Sequence, residues 1–307
     1  MRARWIMGLA SGVLAAAGEP PVPPPPAGDE LYRLGQQLFN QYAPPEVKQQ
    51  YAFPTAEQWD GFASRLQAAL ENNSLPDLAA FEGEARAALA AARILPGYED
   101  YADWLALRLD EIEAAGQIRP APAPAPRGAP VLSPAVPLYN LWIARVRSRP
   151  APAGAAALMP RLRSAFSAEG IPPELAWLAE AESDLNPAAR SPAGARGLFQ
   201  LMPDTAHRLG LGTWLPDERG DPEKSARAAA RYLRTLYARF GSWPLALAAY
   251  NAGEGRVARL LASRGASDFS GIATALPSET RLYVPKVLAL VDVRTGVAPA
   301  QLRPPRG

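Results

Sequence analysis

Apolar residues recur every three or four positions along most of this chain, and no alternating stretch survives beyond a few residues. Leu31, Leu34, Leu38 and Tyr42 mark a first helical face, ended by Pro44-Pro45. Thr55 with Gln58 makes a capping box, followed by Trp59, Phe62, Leu66 and Leu70. A third helix is expected over 77–93, with Leu78, Phe81, Ala85 and Leu89 on one side, before Pro96-Gly97 breaks it. A fourth, over 98–115, presents Tyr101, Leu105, Leu109 and Ile112. Trp59, Tyr101 and Trp104 stand at core spacing, which favours packing over glycan stacking. Four helices of this length can bury a core of their own, so 29–116 reads as a small helical domain. Residues 117–137 (QIRPAPAPAPRGAPVLSPAVP) form a stiff Pro/Ala linker.

Beyond the linker, Leu138, Leu141, Trp142 and Val146 mark a helix able to pack on either side. Pro172-Pro173 opens another, running to Ser183, which Asn186-Pro187 stops. Asp204 lies in the first turn of a short helix ended by Gly210. Asp221 caps a longer one, with Pro222 at its first position and Gly241 past its end. Trp243-Pro244 opens a helix reaching Tyr250, and Gly253 and Gly255 flank the turn into 257–262. Ser278 caps a final region to Thr295, which Pro285 is expected to divide. The fold class is all-α: a helical unit over 138–297, preceded by the small helical bundle and followed by a tail, 298–307.

Composition changes this picture little. Hydrophobic residues make up 48%, ample for a core, and 32 basic against 30 acidic residues leave a net charge of +2. No electrostatic footprint for nucleic acid is present. Cysteine is absent, which excludes disulfides, Cys-ligated metals and a lipid-modified cysteine. Arg2 and Arg4 precede an apolar run, 5–17, ending in three alanines. This is the layout of a signal peptide, followed by a proline-rich spacer, 18–28. Thirteen residues are too few for a comfortable membrane span, so no stable membrane anchor is expected. The protein is expected to be exported and to work in the periplasm or at the cell wall.

The candidate chemistry centres on Glu182. Leu175, Leu178 and Glu182 are spaced by three and four residues, so the carboxylate extends an apolar stripe. Burial there raises its pKa, which a general acid near neutral pH requires. Glu180 and Asp184 lie about 200° around the helix and cannot share its pocket. Gly194 and Gly197 permit a tight loop close by. His207 is the only histidine, so no Ser/His pair or metal-ligand set exists. No cofactor and no metal is expected.

Glu182-Ser183, Asn186-Pro187, Ser191, Gly194-Ala195, the run from Gly197 to Pro203 (GLFQLMP) and Thr205-Ala206 together resemble the signature of soluble lytic transglycosylase (SLT) domains. Ala249–Gly253 (AYNAG) resembles a second motif of that family. Glu279-Thr280-Arg281 with Tyr283-Val284 resembles a third, ETxxYV. The resemblance covers roughly 155–295 and says nothing of the first half. It implies a lysozyme-like helical fold and a lyase acting on the glycan strands of peptidoglycan. Glu182 would protonate the oxygen between N-acetylmuramic acid and N-acetylglucosamine. As carboxylate it would then take the proton of the muramoyl 6-hydroxyl attacking C1, leaving a 1,6-anhydro end. Tyr250 matches the family tyrosine near the acid. Ser183, Ser191, Gln200 and Asn251 would orient sugars, with Ser183 and Asn251 equally able to cap helix ends. Phe199 and Met202 would line the groove, joined by Glu279 and Tyr283 as binding residues.

Two other readings stand beside the lyase. A lysozyme-type hydrolase needs a water-activating carboxylate, for which Asp217, Glu218 or Asp221 are candidates. A non-catalytic peptidoglycan-binding scaffold has no need of a carboxyl on a buried stripe. The first helical unit shows no catalytic constellation and leaves room for a cell-wall protein partner.

Overall fold

A computed structural model describes residues 56–94, 97–118 and 136–306, with a few isolated positions before residue 56. The expected signal segment, the spacer, the first apolar face and most of the linker lie outside the described residues. Among the described residues there are thirteen α-helices and no strand, only isolated bridges. In order these are α1 (Ala56–Glu71), α2 (Leu75–Ala79), α3 (Glu82–Ala92), α4 (Glu99–Gly116), α5 (Tyr139–Arg147), α6 (Ala155–Ala168) and α7 (Leu178–Ser183). There follow α8 (Pro203–Arg208), α9 (Pro222–Phe240), α10 (Trp243–Ala252), α11 (Glu254–Arg264), α12 (Phe269–Ile272) and α13 (Ser278–Thr295). None is long and apolar enough to cross a membrane.

Helix α13 is the axis of the molecule. From Leu282 to Val291 every residue is buried, as expected of a helix surrounded on all sides. It packs against α5, α7, α10, α1 and α4. Pro285 does not divide it, contrary to the sequence expectation. A proline inside a helix costs about 3 kcal/mol, and the buried apolar residues on both sides of Pro285 outweigh that here. Helix α9 packs on both α6 and α10, where its Ala226, Ala229, Ala230 and Leu233 allow close approach.

The upstream helices are joined to this assembly. One continuous apolar core runs from Phe62 to Leu302, and α4 touches both α7 and α13. Helix α5 ties the two halves together: Arg145 bonds Asp110 at 2.7 Å and Glu113 at 3.0 Å on α4, while Trp142 lies under Lys286 of α13. The expected helix over 77–93 is two helices, α2 and α3. Ser74 caps the first, and the chain turns at Ala80-Phe81, which brings the Phe81 ring within 6.2 Å of Phe62. The sequence pattern missed α6 and α12. At the C-terminal end Leu302 is buried, Trp243 donates to the Arg303 carbonyl at 2.9 Å, and the Arg306 amide donates to that of Gly170 at 2.8 Å.

Candidate active site

The segment before Glu182 is a tight 3-10 turn, Pro173–Trp177, leading into the short helix α7. The helix ends at Ser183, as expected, but the stop comes from Asp184 and Leu185 rather than from Asn186-Pro187: both adopt left-handed backbone conformations, with φ of 50° and 61°. Each such residue costs roughly 1–2 kcal/mol, a strain of the kind held at functional sites. It turns the chain straight after the carboxylate and sends it into a loop, residues 186–202.

That loop is shaped by its own polar side chains. Ser191 Oγ accepts from the Ala195 amide at 3.0 Å. Gln200, at φ 43°, donates Nε2 to the carbonyls of Gly197 at 2.9 Å and Ala189 at 3.3 Å. Ser183 Oγ lies 3.0 Å from the carbonyls of both Ala179 and Leu198, pinning the loop to α7. Beneath the loop, Arg219 is buried and donates to the carbonyls of Gly194 and Leu201 while pairing with Asp217 at 2.8 Å. Gly197 has φ 78°, and a Cβ there would lie 1.9 Å from the Arg219 carbonyl oxygen.

Glu182 projects from α7 towards α13, half-buried. Tyr283 donates its hydroxyl to Glu182 Oε1 at 2.6 Å. Burial raises the carboxyl pKa to about 7, and the Tyr283 bond and the Arg108 charge hold it from rising further. Since Oε1 accepts from Tyr283, Oε2 is left to carry the proton. The tyrosine hydroxyls of Tyr250 and Tyr283 are themselves pushed well above their ordinary value, first by burial and then by the Glu182 charge. Tyr250 donates to the Phe199 carbonyl at 2.8 Å, so it supports the loop as well as standing near the acid.

A polar chain continues along the start of α13. Thr280 donates to Asn251 Oδ1 at 2.6 Å, and Asn251 Nδ2 reaches Glu279 Oε1 at 3.4 Å. Arg108 Nη1, from α4, donates to the same Glu279 oxygen at 2.7 Å and pairs with Glu111 at 2.9 Å. Sequence reasoning found no catalytic constellation in this half of the chain and named none of its residues for the site; the structure brings Arg108 and Glu111 beside it. The signal was available, since Arg108 lies three residues after Leu105 and four before Ile112, on the apolar stripe.

Of the sequence-derived residues, Glu182, Tyr250, Asn251, Glu279 and Tyr283 therefore form one cluster. Phe199 does not line a groove: it is fully buried, its ring 5.6 Å from that of Phe166. An apolar ring beside α6 gains more from the core than from a wet wall. Met202 remains at the surface, 43% exposed. Ser183, Ser191 and Gln200 bond to loop backbone, which leaves their hydrogen-bonding capacity largely inside the protein. The three candidate acids for a hydrolase are engaged elsewhere: Asp217 with Arg219 and Arg196, Glu218 with Lys224, and Asp221 as the α9 cap.

Residues 163–272 match the Transglycosylase SLT domain. This stretch is an SLT domain. It holds Glu182, the loop and Tyr250, while Glu279 and Tyr283 follow it and α4 precedes it. The membrane-bound lytic murein transglycosylase D of Escherichia coli K12 is 43% identical over 129 residues, 40% of this chain and 28% of that protein. The soluble lytic murein transglycosylase of Salmonella typhimurium LT2 is 42% identical over 120 residues, 36% of this chain and 19% of its own length. This chain thus spans less than a third of the length of these curated relatives. Among solved structures, the 70 kDa soluble lytic transglycosylase of Escherichia coli superimposes with a TM-score of 0.43 at 23% identity, over 90% of this chain and 47% of that one.

Proposed function

We propose that this protein is a peptidoglycan lytic transglycosylase that cleaves the bond between N-acetylmuramic acid and N-acetylglucosamine without water. The observation that carries the reading is the Glu182 carboxyl, protonated up to about pH 7 and hydrogen-bonded on one oxygen by Tyr283. The proton on Oε2 passes to the bridging oxygen as its bond to C1 breaks. The carboxylate so formed takes the proton of the muramoyl 6-hydroxyl as that oxygen bonds to C1. One group thus acts first as acid and then as base. The attacking hydroxyl is tethered to the reacting sugar and enjoys a large effective concentration over bulk water. Tyr283 holds the carboxyl through both steps, and Met202 offers an apolar surface at the groove.

The hydrolase alternative needs a carboxylate free to activate water, and the structural duties of Asp217, Glu218 and Asp221 weigh against it. Export to the periplasm fits the basic, apolar and small-residue sequence of the first seventeen residues. Helices α1–α4 we read as a bundle that supports the site around Glu182. Digestion of purified peptidoglycan followed by mass spectrometry tests the reading. Anhydromuramoyl ends, one water lighter than reducing ends and inert to borohydride, are the expected product. Mainly reducible muramic acid ends would replace the lyase with a hydrolase.

A further inference from the structure

We propose that Arg108 is a positioning residue of this active site, delivered by α4 from outside the SLT domain to hold the first turn of α13 in register with Glu182. The inference rests on the reading of Glu182 as the acid. Arg108 is buried, and its Nη1 donates to Glu279 Oε1 at 2.7 Å. Glu279 and Tyr283 are four residues apart on α13 and therefore share a face. The oxygen that Arg108 grips is also the one reached by Asn251, which Thr280 bonds in turn. The guanidinium thus fixes three elements at once: α4, the end of α10 and the start of α13. The Tyr283 hydroxyl, one turn along, meets Glu182 at 2.6 Å only while that turn keeps its place.

The arrangement exceeds what an ordinary helix-to-helix ion pair requires. Arg108 also pairs with the fully buried Glu111, which faces Lys286 of α13 at 3.4 Å. Two buried cations, Arg108 and Lys286, and three acids, Glu111, Glu279 and Asp110, therefore lie between α4 and α13, at a cost in desolvation that apolar packing would avoid. Retaining them is explained by the charge they place beside the acid. The groups facing Glu182 are Tyr283 and Glu279 from α13, Arg108 and Glu111 from α4, and Tyr250 from α10. Arg108 is the cation among them. It offsets the two neighbouring carboxylates, which would otherwise hold Glu182 protonated too firmly for its second step as a base.

The test is a carbon-13 NMR titration of the Glu182 carboxyl in the full-length protein, read beside kcat and KM on peptidoglycan. Arg108→Met should raise the Glu182 titration midpoint by roughly one pH unit and lower kcat about tenfold or more with KM little changed. Arg108→Lys, which keeps the charge, should restore most of the midpoint. Should Arg108→Met fail to fold with Glu111 unpaired, Arg108→Met with Glu111→Gln removes both charges of the pair, and Glu279→Gln alone should move the midpoint down. An unmoved midpoint in a folded Arg108 variant overturns the proposal, leaving the residue as an interface ion pair only. The titration does not depend on turnover. A moved midpoint in a protein that leaves peptidoglycan uncut would keep the positioning role and remove the lyase reading.

Discussion

Glu182 sits where protein replaces water around most of its carboxyl, and its proton affinity rises accordingly. The folded pKa, about 7, lies above the ordinary 4.5, so the native state holds this proton more tightly than the unfolded chain does. The stabilisation is fully present below about pH 4.5 and is lost as pH rises through about 7. At pH 8 the ionised carboxyl costs up to about 3 kcal/mol relative to a neutral group. Glu182→Gln should therefore cut activity by about two orders of magnitude or more. It should also raise the melting temperature at pH 8 while leaving it unchanged at pH 4. Calorimetry at the two pH values checks this, and an equal gain at both would trace the effect to something other than the charge. Wild-type kcat/KM should fall with rising pH along a limb centred near 7. Glu180 behaves differently. It is buried in a two-pronged pair with Arg294, at 2.7 and 3.0 Å. Glu180→Gln should lower stability by roughly 3 kcal/mol, seen in a urea melt, with the alkaline limb of activity unmoved.

At the scale of elements, the loop after α7 is the part that sequence both announced and understated. Its glycines, Ser191 and Gln200 were legible as a motif, because tight turns and short polar side chains have few other uses in such density. Their partners were not legible: Gln200 bonds two backbone carbonyls, and Phe199 faces the core, since both depend on where α6 and α9 come to lie. Helix α13 shows the same limit, as Pro285 argues locally for a break that surrounding packing overrides. Tyr283 was legible through its motif; Arg108 was missed although it stands on an apolar stripe, because periodicity cannot say which helix a stripe will meet. Gly197 supplies a test at this scale. Gly197→Ala must overcome both a left-handed φ and the Arg219 carbonyl, so a loss of more than about 3 kcal/mol is expected. Thermal melting measures it, and a variant as stable as wild type would mean that the loop can move away from Arg219.

On the scale of the whole molecule, the upstream helices and the SLT domain share one core. A fragment beginning at Gly128 would bare the apolar faces of α7 and α13 that meet α4, and would lose Arg108. It should melt well below the full-length chain and show less than about a tenth of its kcat. Full activity in a stable fragment would make α1–α4 a separable accessory.

The buried guanidinium of Arg219 has a consequence for the conditions this protein tolerates. These 307 residues contain no cysteine, so the loop after α7 is fastened by a charged rivet and not by a disulfide. Thiols and oxidants have no purchase on it. Acid does, through Asp217, whose pKa is lowered chiefly by its hydrogen bond from Arg219. The bond contributes fully above the ordinary carboxylate range and is lost as pH falls through that lowered value. The loop should therefore be indifferent to reducing agents and should open in acid.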